Sequence, residues 1–251
     1  MSSNKLQAGI GIAIIVTLLG AGGWYYFNNQ TEQITIGGVT LDMPKGATIE
    51  VLEDSLPPLD YTVQFEEGVP EGTRSALLGN IKKLTTILEE DPSHFNAWLD
   101  LALQYKVAGD YSAAEKVWLY LVDTAPQSGL SAHNLGTLYH LNLKDNEKAE
   151  KFFIVAIKRE PLQGAYYLSF HELYRYSYKT ETTLAADILK EGLKLTPENT
   201  DLLLALAVYY RDDKKDKKLA REYYTQARDA VAKTGNTELV RAIETDILRL
   251  K

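Results

Sequence analysis

Histidines begin and end the stretch HNLGTLYH at residues 133–140, with a glycine and a tyrosine between them. Histidine is the most frequent metal ligand and the most frequent general acid or base in proteins, so the pair raises the question of a metal or catalytic site. On a helix, His133 and His140 would be two turns apart, or about 10.5 Å. Histidine pairs that share a metal on one helix are usually one turn apart, so this spacing disfavours a metal site.

The remaining sequence contains no motif that would form a catalytic or metal site together with these histidines. Cysteine is absent, which excludes disulfides, thiolate zinc sites, iron–sulfur clusters and cysteine nucleophiles. The sequence has no glycine-rich phosphate loop, no Gly-x-Ser-x-Gly nucleophile turn and no His-Glu-x-x-His motif, and His171-Glu172 alone is a weak signal. We therefore expect no catalytic residue, no cofactor and no metal, in a protein that is not an enzyme.

The net charge of −7 is unevenly distributed along the 251 residues. Residues 28–71 contain nine acidic residues and one basic residue, whereas residues 72–251 contain 25 of each. An acidic segment beside a neutral body argues against nucleic acid as a partner, because proteins that bind nucleic acids need a basic face for the phosphates.

Residues 8–27, AGIGIAIIVTLLGAGGWYYF, carry no charge and are long enough to span a membrane as a helix. The run ends in aromatic residues, which are typical of the membrane interface. Lys5 lies on the short N-terminal side and Glu32 beyond the other end, so the positive-inside rule places residues 1–7 in the cytoplasm. We predict a single-pass protein of the inner (cytoplasmic) membrane whose remaining residues are extracytoplasmic (periplasmic).

A cleaved signal peptide is the alternative, with an apolar core at residues 10–19 and small residues at Ala21 and Gly23 for cleavage. Either interpretation exports the rest of the chain. If the helix is retained, small residues on one face could support a homo-oligomer through close helix packing, although such residues are common in membrane spans anyway. They are Gly9, Ala13, Thr17 and Ala21.

Residues 28–71 show no helical period and form the predicted acidic extracytoplasmic stalk. ITIGGVTLDM has alternating apolar and β-branched residues around Gly37-Gly38, a pattern that predicts a two-residue hairpin turn. ATIEVL and YTVQF could be further short strands. The segment is too short to build a core of its own, so we predict a spacer that could hold a small β element.

From Gly72 onwards the chain has a helical period and a repeated pattern. Prolines at 92, 126, 161 and 197 are 34, 35 and 36 residues apart. At similar distances from these prolines, each unit carries large residues that suit packing between successive helical hairpins and small residues that suit close helix crossing. In unit one these positions hold Trp98, Ala102, Tyr105, Ala114 and Trp118.

This pattern resembles the tetratricopeptide repeat, which has Trp-x2-Leu-Gly-x2-Tyr, Ala-x3-Phe and Pro at the corresponding positions. The resemblance implies an all-α solenoid of helical hairpins, here preceded by the transmembrane helix and the stalk. His171 departs from the pattern because its ring replaces a small residue, and we expect unit three to be splayed or irregular. The implied parts are a half unit (72–92), four units (about 95–126, 129–161, 164–197 and 200–233) and a capping helix (237–250).

In the tetratricopeptide family the first helix of each unit lines a concave groove that holds peptides or partner helices. The Lys and Asn residues with which some members hold a C-terminal carboxylate are absent. The mixed apolar and polar surface suggests an apolar or helical protein segment as the ligand, and the stalk could instead cover part of it. The resemblance assigns the groove to Asn96, Leu99, Leu103, Lys106, Leu130, His133, Thr137, His140, Leu168, Glu172, Arg175, Tyr176, Leu204, Val208 and Arg211.

The resemblance also changes the interpretation of HNLGTLYH. Gly136 and Tyr139 occupy repeat positions, so the glycine would serve helix crossing and not a ligand. His133 and His140 would then face the groove beside Thr137, as candidate contacts to a partner.

The predicted function is non-catalytic: a membrane-anchored scaffold or adaptor that binds a protein partner in its groove for envelope assembly, secretion or a chaperone-like role. It resembles single-span tetratricopeptide proteins of bacterial inner membranes, a likeness of fold only. The alternative is an accessory subunit whose tyrosine-rich groove binds a glycan or small molecule. The stretch YLSFHELYRYSY at 167–178 could be a stacking platform, but we expect at least half of it to pack between repeats, because Tyr167, Phe170 and Tyr174 occupy repeat positions. The run RDDKKDKK at 211–218 is most simply a solvated turn.

Overall fold

The computed structural model describes residues 24–26, 31–44, 50–52, 56, 57, 59 and 62–250. Within these residues, four short strands precede ten α-helices. The strands are β1 (Trp24–Tyr26), β2 (Thr31–Ile36), β3 (Val39–Pro44) and β4 (Glu50–Leu52). The helices are α1 (Glu71–Glu90), α2 (Phe95–Ala108), α3 (Tyr111–Thr124), α4 (Leu130–Leu138), α5 (Asn146–Arg159), α6 (Gly164–Tyr176), α7 (Leu184–Leu195), α8 (Thr200–Asp212), α9 (Lys217–Lys233) and α10 (Thr237–Arg249).

The helices form the hairpins that the repeat predicts. In each unit a first helix (α2, α4, α6, α8) packs on a second helix (α3, α5, α7, α9), and each second helix up to α7 also packs on the next first helix. At the two ends, α1 packs on α2 and α10 packs on α9. The described helices are therefore a row of four hairpins with one further helix at each end, where the half unit and the capping helix are predicted.

Three of the four hairpin turns use the same local chemistry. Each contains one residue with a positive φ angle, followed by an aspartate whose carboxylate accepts a hydrogen bond from a backbone N–H in the first turn of the second helix. The run RDDKKDKK contains one of these turns, between α8 and α9, as predicted. The pairs are Gly109-Asp110, Lys144-Asp145 and Lys215-Asp216.

Unit two absorbs an inserted residue in its first helix. After α4 the backbone continues as a π-helical turn over Tyr139–Leu143, and the N–H of Asp145 then donates to the carbonyl of Tyr139 at 2.9 Å. Such a turn accommodates an extra residue without ending the helix. The variable spacing between the tyrosine and alanine positions of the repeat is therefore taken up where the two helices join.

Large aromatic residues link one unit to the end of the unit before it. The indole nitrogen of Trp98 donates to the carbonyl of Pro92 at 2.9 Å, and the hydroxyl of Tyr167 donates to the carbonyl of Pro161 at 2.9 Å. Both rings are buried. The backbone carbonyl of the proline at the end of one unit thus accepts a hydrogen bond from an aromatic side chain six residues later.

Gly136 allows α4 and α5 to cross closely, as the sequence predicts. A Cβ atom added at this position would lie 2.6 Å from the ring of Phe153. Unit three instead has His171 at the crossing, and its ring is buried with Nδ1 2.8 Å from the carbonyl oxygen of Ala185 on α7. α6 and α7 still pack on each other with this ring between them, and their connection, residues 177–183, is longer than the other hairpin turns.

The predicted hairpin of the stalk is present and packs on the solenoid. β2 and β3 pair antiparallel with Ile36 opposite Val39, and Gly37 and Gly38 form the turn with φ angles of 54° and 82°. Ile36 is buried within the main core, and a Cβ atom on Gly37 would lie 2.7 Å from the backbone nitrogen of Ile188 in α7.

The described stalk residues contact the second helices and one hairpin turn. β4 lies beside α3, the hairpin packs on α7, and α5 between them is buried over the six consecutive residues 152–157. Residues 62–66 run along the α2–α3 turn, where the N–H of Gln64 donates to Asp110 and the N–H of Glu66 donates to Ala108, both at 2.9 Å.

Two predictions for the N-terminal region differ from the structure. In YTVQF, residues 62–65 belong to no strand, because their backbone bonds the α2–α3 turn and not a second strand. The predicted helix over residues 8–27 does not include Trp24–Tyr26, which pair with Glu50–Leu52 as strands, and its other residues lie outside the described ones. In the described part of the chain, no helix combines the length and apolar character that a membrane span requires.

Candidate functional site

The outward side chains of α2, α4, α6 and α8 form a surface that we call the first-helix face. Neighbouring first helices are linked directly, since α6 packs on α8 and His133 of α4 bonds Ser169 of α6. The structure places the fifteen predicted groove residues on these helices or on the π-helical turn after α4. They are exposed (Asn96, Leu103, Leu130, Glu172, Tyr176), half-buried (Leu99, Lys106, His133, Thr137, Leu168, Arg175, Leu204, Val208, Arg211) or buried (His140).

Some apolar side chains of units one and two are exposed to solvent instead of packing in the core. Leu103 is 46% exposed and Leu130 is 38% exposed. The sequence interpretation missed two further members, Val107 at 54% and Leu141 at 50% exposure. Each directly follows a predicted groove residue, so the same repeat position in the two units is the signal that could have found them. These four exposed residues, on α2, α4 and the π-helical turn, are named here the apolar strip.

His133 links unit two to unit three. Its Nε2 lies 2.8 Å from the hydroxyl of Ser169, and its ring stacks on Tyr166 with centroids 4.8 Å apart. Burial, and secondarily the positive charge of Lys106, lower the pKa of His133 from 6.5 to about 4. The neutral ring is therefore the form that fits this position at neutral pH.

His140 also bonds the next unit. It is buried, and its Nε2 lies 2.8 Å from the hydroxyl of Ser177, in the connection between α6 and α7. Burial, followed by the nearby Lys144, lowers the pKa of His140 as well. Both histidines of HNLGTLYH thus hold adjacent units together, and His133 is the one that retains a half-buried surface.

The cationic positions of units three and four are engaged within the protein. Arg175 bonds Asp213 at 2.5 Å, and its guanidinium lies 4.8 Å from the ring centroid of Tyr176. Arg211 bonds Asp212 at 2.6 Å and the hydroxyl of Tyr224 at 2.6 Å. The hydrogen bond to Asp212 is the main cause of the raised pKa of Arg211. Both arginines are therefore held in fixed orientations on the first-helix face.

Most aromatic rings of the proposed stacking platform are buried. Tyr167, Phe170 and Tyr174 are at most 2% exposed and pack within and between units. Tyr176, at 62% exposure, is the fully exposed ring of the stretch 167–178. A single exposed tyrosine offers a contact to a partner but not an aromatic surface for a sugar or a base.

Within residues 62–250 and the described strands, no three His, Asp or Glu side chains converge as metal ligands would. His133 and His140 instead bond separate serines on the neighbouring unit. The first-helix face is thus a surface of apolar and charged side chains.

Comparison with known proteins finds similarity among solved structures only. No protein-family model matches the sequence, and comparison with curated proteins gives no match. Among solved structures, the crystal structure of MamA is similar with a TM-score of 0.50 and 17% sequence identity, covering 69% of this chain and 99% of that chain. A second MamA structure has a TM-score of 0.50 over 66% of this chain and 88% of that one, with 17% identity.

YrrB, described as a tetratricopeptide protein with an unusual peptide-binding site, is also similar at a TM-score of 0.44 and 18% identity, covering 69% of this chain and 84% of that chain. At such identities a structural likeness concerns the fold alone. The repeat positions and the hairpin geometry described above are those of a tetratricopeptide-like helical solenoid, and the likeness to the MamA structures agrees with this fold.

Proposed function

We propose that this protein is a non-catalytic scaffold or adaptor that binds a segment of a partner protein along the first-helix face. The apolar strip carries this proposal. Leu103, Val107 and Leu141 are about half exposed, on the helices that line the groove in tetratricopeptide proteins. Leu103 and Val107 lie one turn apart on α2, and exposed apolar residues that lie together favour a binding site.

The described parts of the stalk support the availability of this surface. The β2–β3 hairpin packs on α7, β4 lies beside α3, and residues 62–66 follow the α2–α3 turn. None of these contacts involves the apolar strip. The proposal therefore requires a partner segment, and not the described stalk residues, to cover the apolar strip.

The site of action that we propose is the cell envelope. The uncharged run at residues 8–27, with Lys5 before it and an acidic segment after it, supports an anchor in the inner membrane and a periplasmic solenoid. Because Trp24–Tyr26 pair as a strand, the anchoring helix itself would lie within residues 8–23. The small residues Gly9, Ala13, Thr17 and Ala21 support self-association of that anchor. Envelope assembly, secretion and chaperone-like roles are the functions that this arrangement would serve.

Site-specific photo-crosslinking in cells tests the binding surface. A photoreactive amino acid at Leu103, Thr137 or Leu168 should form the same adduct with one partner protein. Matched probes at Lys116 and Lys151, exposed positions on the second helices, serve as controls and should give no such adduct. An adduct that forms only from the control positions would place the binding surface on the opposite side and refute the proposal.

A reporter fused after Lys251 tests the location independently. An enzyme that is active only outside the cytoplasm should be active in this fusion, in the membrane fraction. Activity of a cytoplasm-dependent reporter at the same position would reverse the proposed topology, and activity in the soluble periplasmic fraction would favour the cleaved signal peptide.

A further inference from the structure

The buried core is divided at the junction between units three and four. One cluster of buried side chains joins the stalk residue Ile36 to units one to three, and it includes Tyr209 on the side of α8 that meets unit three. A second cluster is formed by α8, α9 and α10. Half-buried side chains such as Leu193 and Tyr210 contact both clusters. Unit four and α10 therefore have a core of their own, and residues 196–199 connect them to unit three.

This junction also lacks a hydrogen bond that the two earlier junctions have. The hydroxyls of Tyr139 and Tyr174 donate to glutamates of the preceding unit, but unit four has Ala186 at the glutamate position. Arg175 of α6 instead bonds Asp213, just after α8, at 2.5 Å. An ion pair thus joins units three and four in place of the tyrosine–glutamate hydrogen bond.

His171 lies at this junction as a buried ring that is bonded on one side. It is 2% exposed, and its Nδ1 lies 2.8 Å from the carbonyl oxygen of Ala185. Because a carbonyl only accepts, Nδ1 carries the proton and Nε2 is left with a lone pair. Nε2 is buried and has no hydrogen-bond partner among the described residues. A second proton, on Nε2, would therefore create a buried charge and a buried N–H without an acceptor.

The charges around His171 do not compensate for this cost. Arg175, one turn later on α6, opposes a positive charge on the imidazole, and the carboxylate of Asp213, which would favour one, already bonds Arg175. The ring of Tyr209 lies at 79° to the imidazole with centroids 5.7 Å apart, and Lys214 lies 5.3 Å from the same tyrosine centroid. Charged side chains elsewhere on α5, α7 and α8 are engaged with other partners: Glu150 with Tyr174 and Lys179, Asp187 with Lys190, Glu191 with Lys194, and Arg211 with Asp212.

We propose that the junction between units three and four is an acid-sensitive hinge, which opens between unit three and α8 when His171 takes up a proton. Because α6 packs on α8, opening would interrupt the first-helix face. The hinge goes beyond the proposed function and does not depend on it.

The direction of the pH dependence follows from the burial of the ring. Burial lowers the pKa of His171 in the closed junction, whereas opening exposes the ring to water and returns its pKa towards about 6.5. The closed form is therefore fully favoured above about pH 6.5. Below that pH, its ratio to the open form falls by up to about tenfold for each pH unit, until His171 is protonated in the closed form as well.

Distances between pairs of spin labels in the full chain test the hinge, since the protein has no cysteine of its own. Labels at Lys194→Cys and Glu222→Cys, exposed positions of α7 and α9, span the junction. Labels at Lys116→Cys and Lys151→Cys, also exposed, span units one and two as the control. Between about pH 7.5 and about pH 4 the first pair should gain a population at longer distance, and the control pair should not change.

Histidine variants of the labelled chain identify the group that takes up the proton. His171→Gln should abolish the population that appears in acid. His140→Gln should retain it, because His140 is a buried histidine between units two and three. If His171→Gln is not helical by circular dichroism at neutral pH, His171→Ala replaces it, since the other units have alanine or glycine at this position.

Three results would overturn the proposal. The first is an unchanged distance across the junction over the whole pH range. The second is an acid-dependent population that survives both His171→Gln and His171→Ala, because another group would then be responsible. The third is equal broadening of both label pairs, which would mean that the whole solenoid loosens in acid and that no hinge lies between units three and four.

Discussion

The hydroxyl of Tyr174 in unit three donates a hydrogen bond to the carboxylate of Glu150 in unit two. Tyr139 in unit two bonds Glu115 of unit one in the same way, and in both cases the glutamate lies 24 residues before the tyrosine. The relationship is therefore a repeated tie between consecutive units. Unit four has the tyrosine, Tyr210, but the corresponding partner position is Ala186, so the last junction lacks this tie.

Replacing Tyr174 by Phe should destabilise the protein. The tyrosine is fully buried, and its partner Glu150 also accepts a hydrogen bond from Lys179 at 2.6 Å. Loss of a buried hydrogen bond to a charged group costs about 2 kcal/mol, which urea unfolding would measure as a lower free energy of unfolding. Tyr176→Phe, on the same helix but exposed, is the control and should change that free energy by less than about 0.5 kcal/mol.

Stability should fall as the pH is lowered below neutrality, and His133 should account for part of the fall. Its pKa is lowered from 6.5 to about 4 in the folded protein, so the unfolded chain takes up a proton between these values while the folded protein does not. The associated stability is present above pH 6.5 and is lost as the pH falls towards 4. Between pH 7 and pH 5 the loss should be about 2 kcal/mol.

Urea unfolding at several pH values, with His133→Gln for comparison, measures this effect. The variant should show a shallower decline of the free energy of unfolding between pH 7 and pH 5, because the group that titrates is gone. Equal slopes for the two proteins would contradict the assignment. His140 and His171, whose pKa values are also lowered by burial, should retain part of the slope in the variant.

Two glycine substitutions should change stability in opposite directions. Gly136→Ala introduces a Cβ 2.6 Å from the ring of Phe153, and such overpacking should cost about 2 kcal/mol despite the better helix propensity of alanine. Gly79→Ala, in the exposed middle of α1 with open space around it, should instead stabilise the protein by about 0.5–1 kcal/mol. Thermal unfolding of the two variants measures both. Phe153→Leu should partly rescue Gly136→Ala, and an absence of rescue would argue against this contact as the cause.

The stalk hairpin should separate from α7 when Gly37 gains a side chain. Asn tolerates the positive φ angles of Gly37 and Gly38, so Asn at either position should preserve the turn. At Gly37, however, the new Cβ would lie 2.7 Å from the backbone of Ile188, whereas nothing lies within 4 Å at Gly38. Hydrogen exchange of the β2–β3 amides should therefore become faster in Gly37→Asn and remain unchanged in Gly38→Asn. Equal protection in both would show that the hairpin does not depend on this contact.

The repeated core could be predicted from the sequence because its signals are local and recur. Proline spacing and the alternation of large and small residues identify the hairpins, and Gly37-Gly38 identifies the turn of the stalk. The docking of that hairpin on α7 could not be predicted, because it depends on a close approach between Gly37 and the backbone of Ile188. No sequence pattern within the hairpin or within α7 indicates that the two segments lie this close together.

The candidate site was predictable in position but not in exposure. Repeat positions place His140 among the groove residues, yet a serine in the long connection of unit three bonds its ring, and it is buried. Whether a position is covered thus depends on the loop of the following unit, which varies in length. Val107 and Leu141 were missed for a related reason, since they directly follow the assigned positions and their exposure depends on what the neighbouring units leave uncovered.

The stalk has three described attachments to the solenoid: β4 beside α3, the hairpin on α7, and residues 62–66 on the α2–α3 turn. A segment that is fixed at several separate points holds a defined position on the solenoid and does not behave as a flexible tether. The length of the stalk then affects the direction in which the solenoid faces more than it affects how far the solenoid can move. A partner would meet the first-helix face in one preferred orientation relative to the start of the stalk, which favours assemblies of defined geometry over capture at variable range.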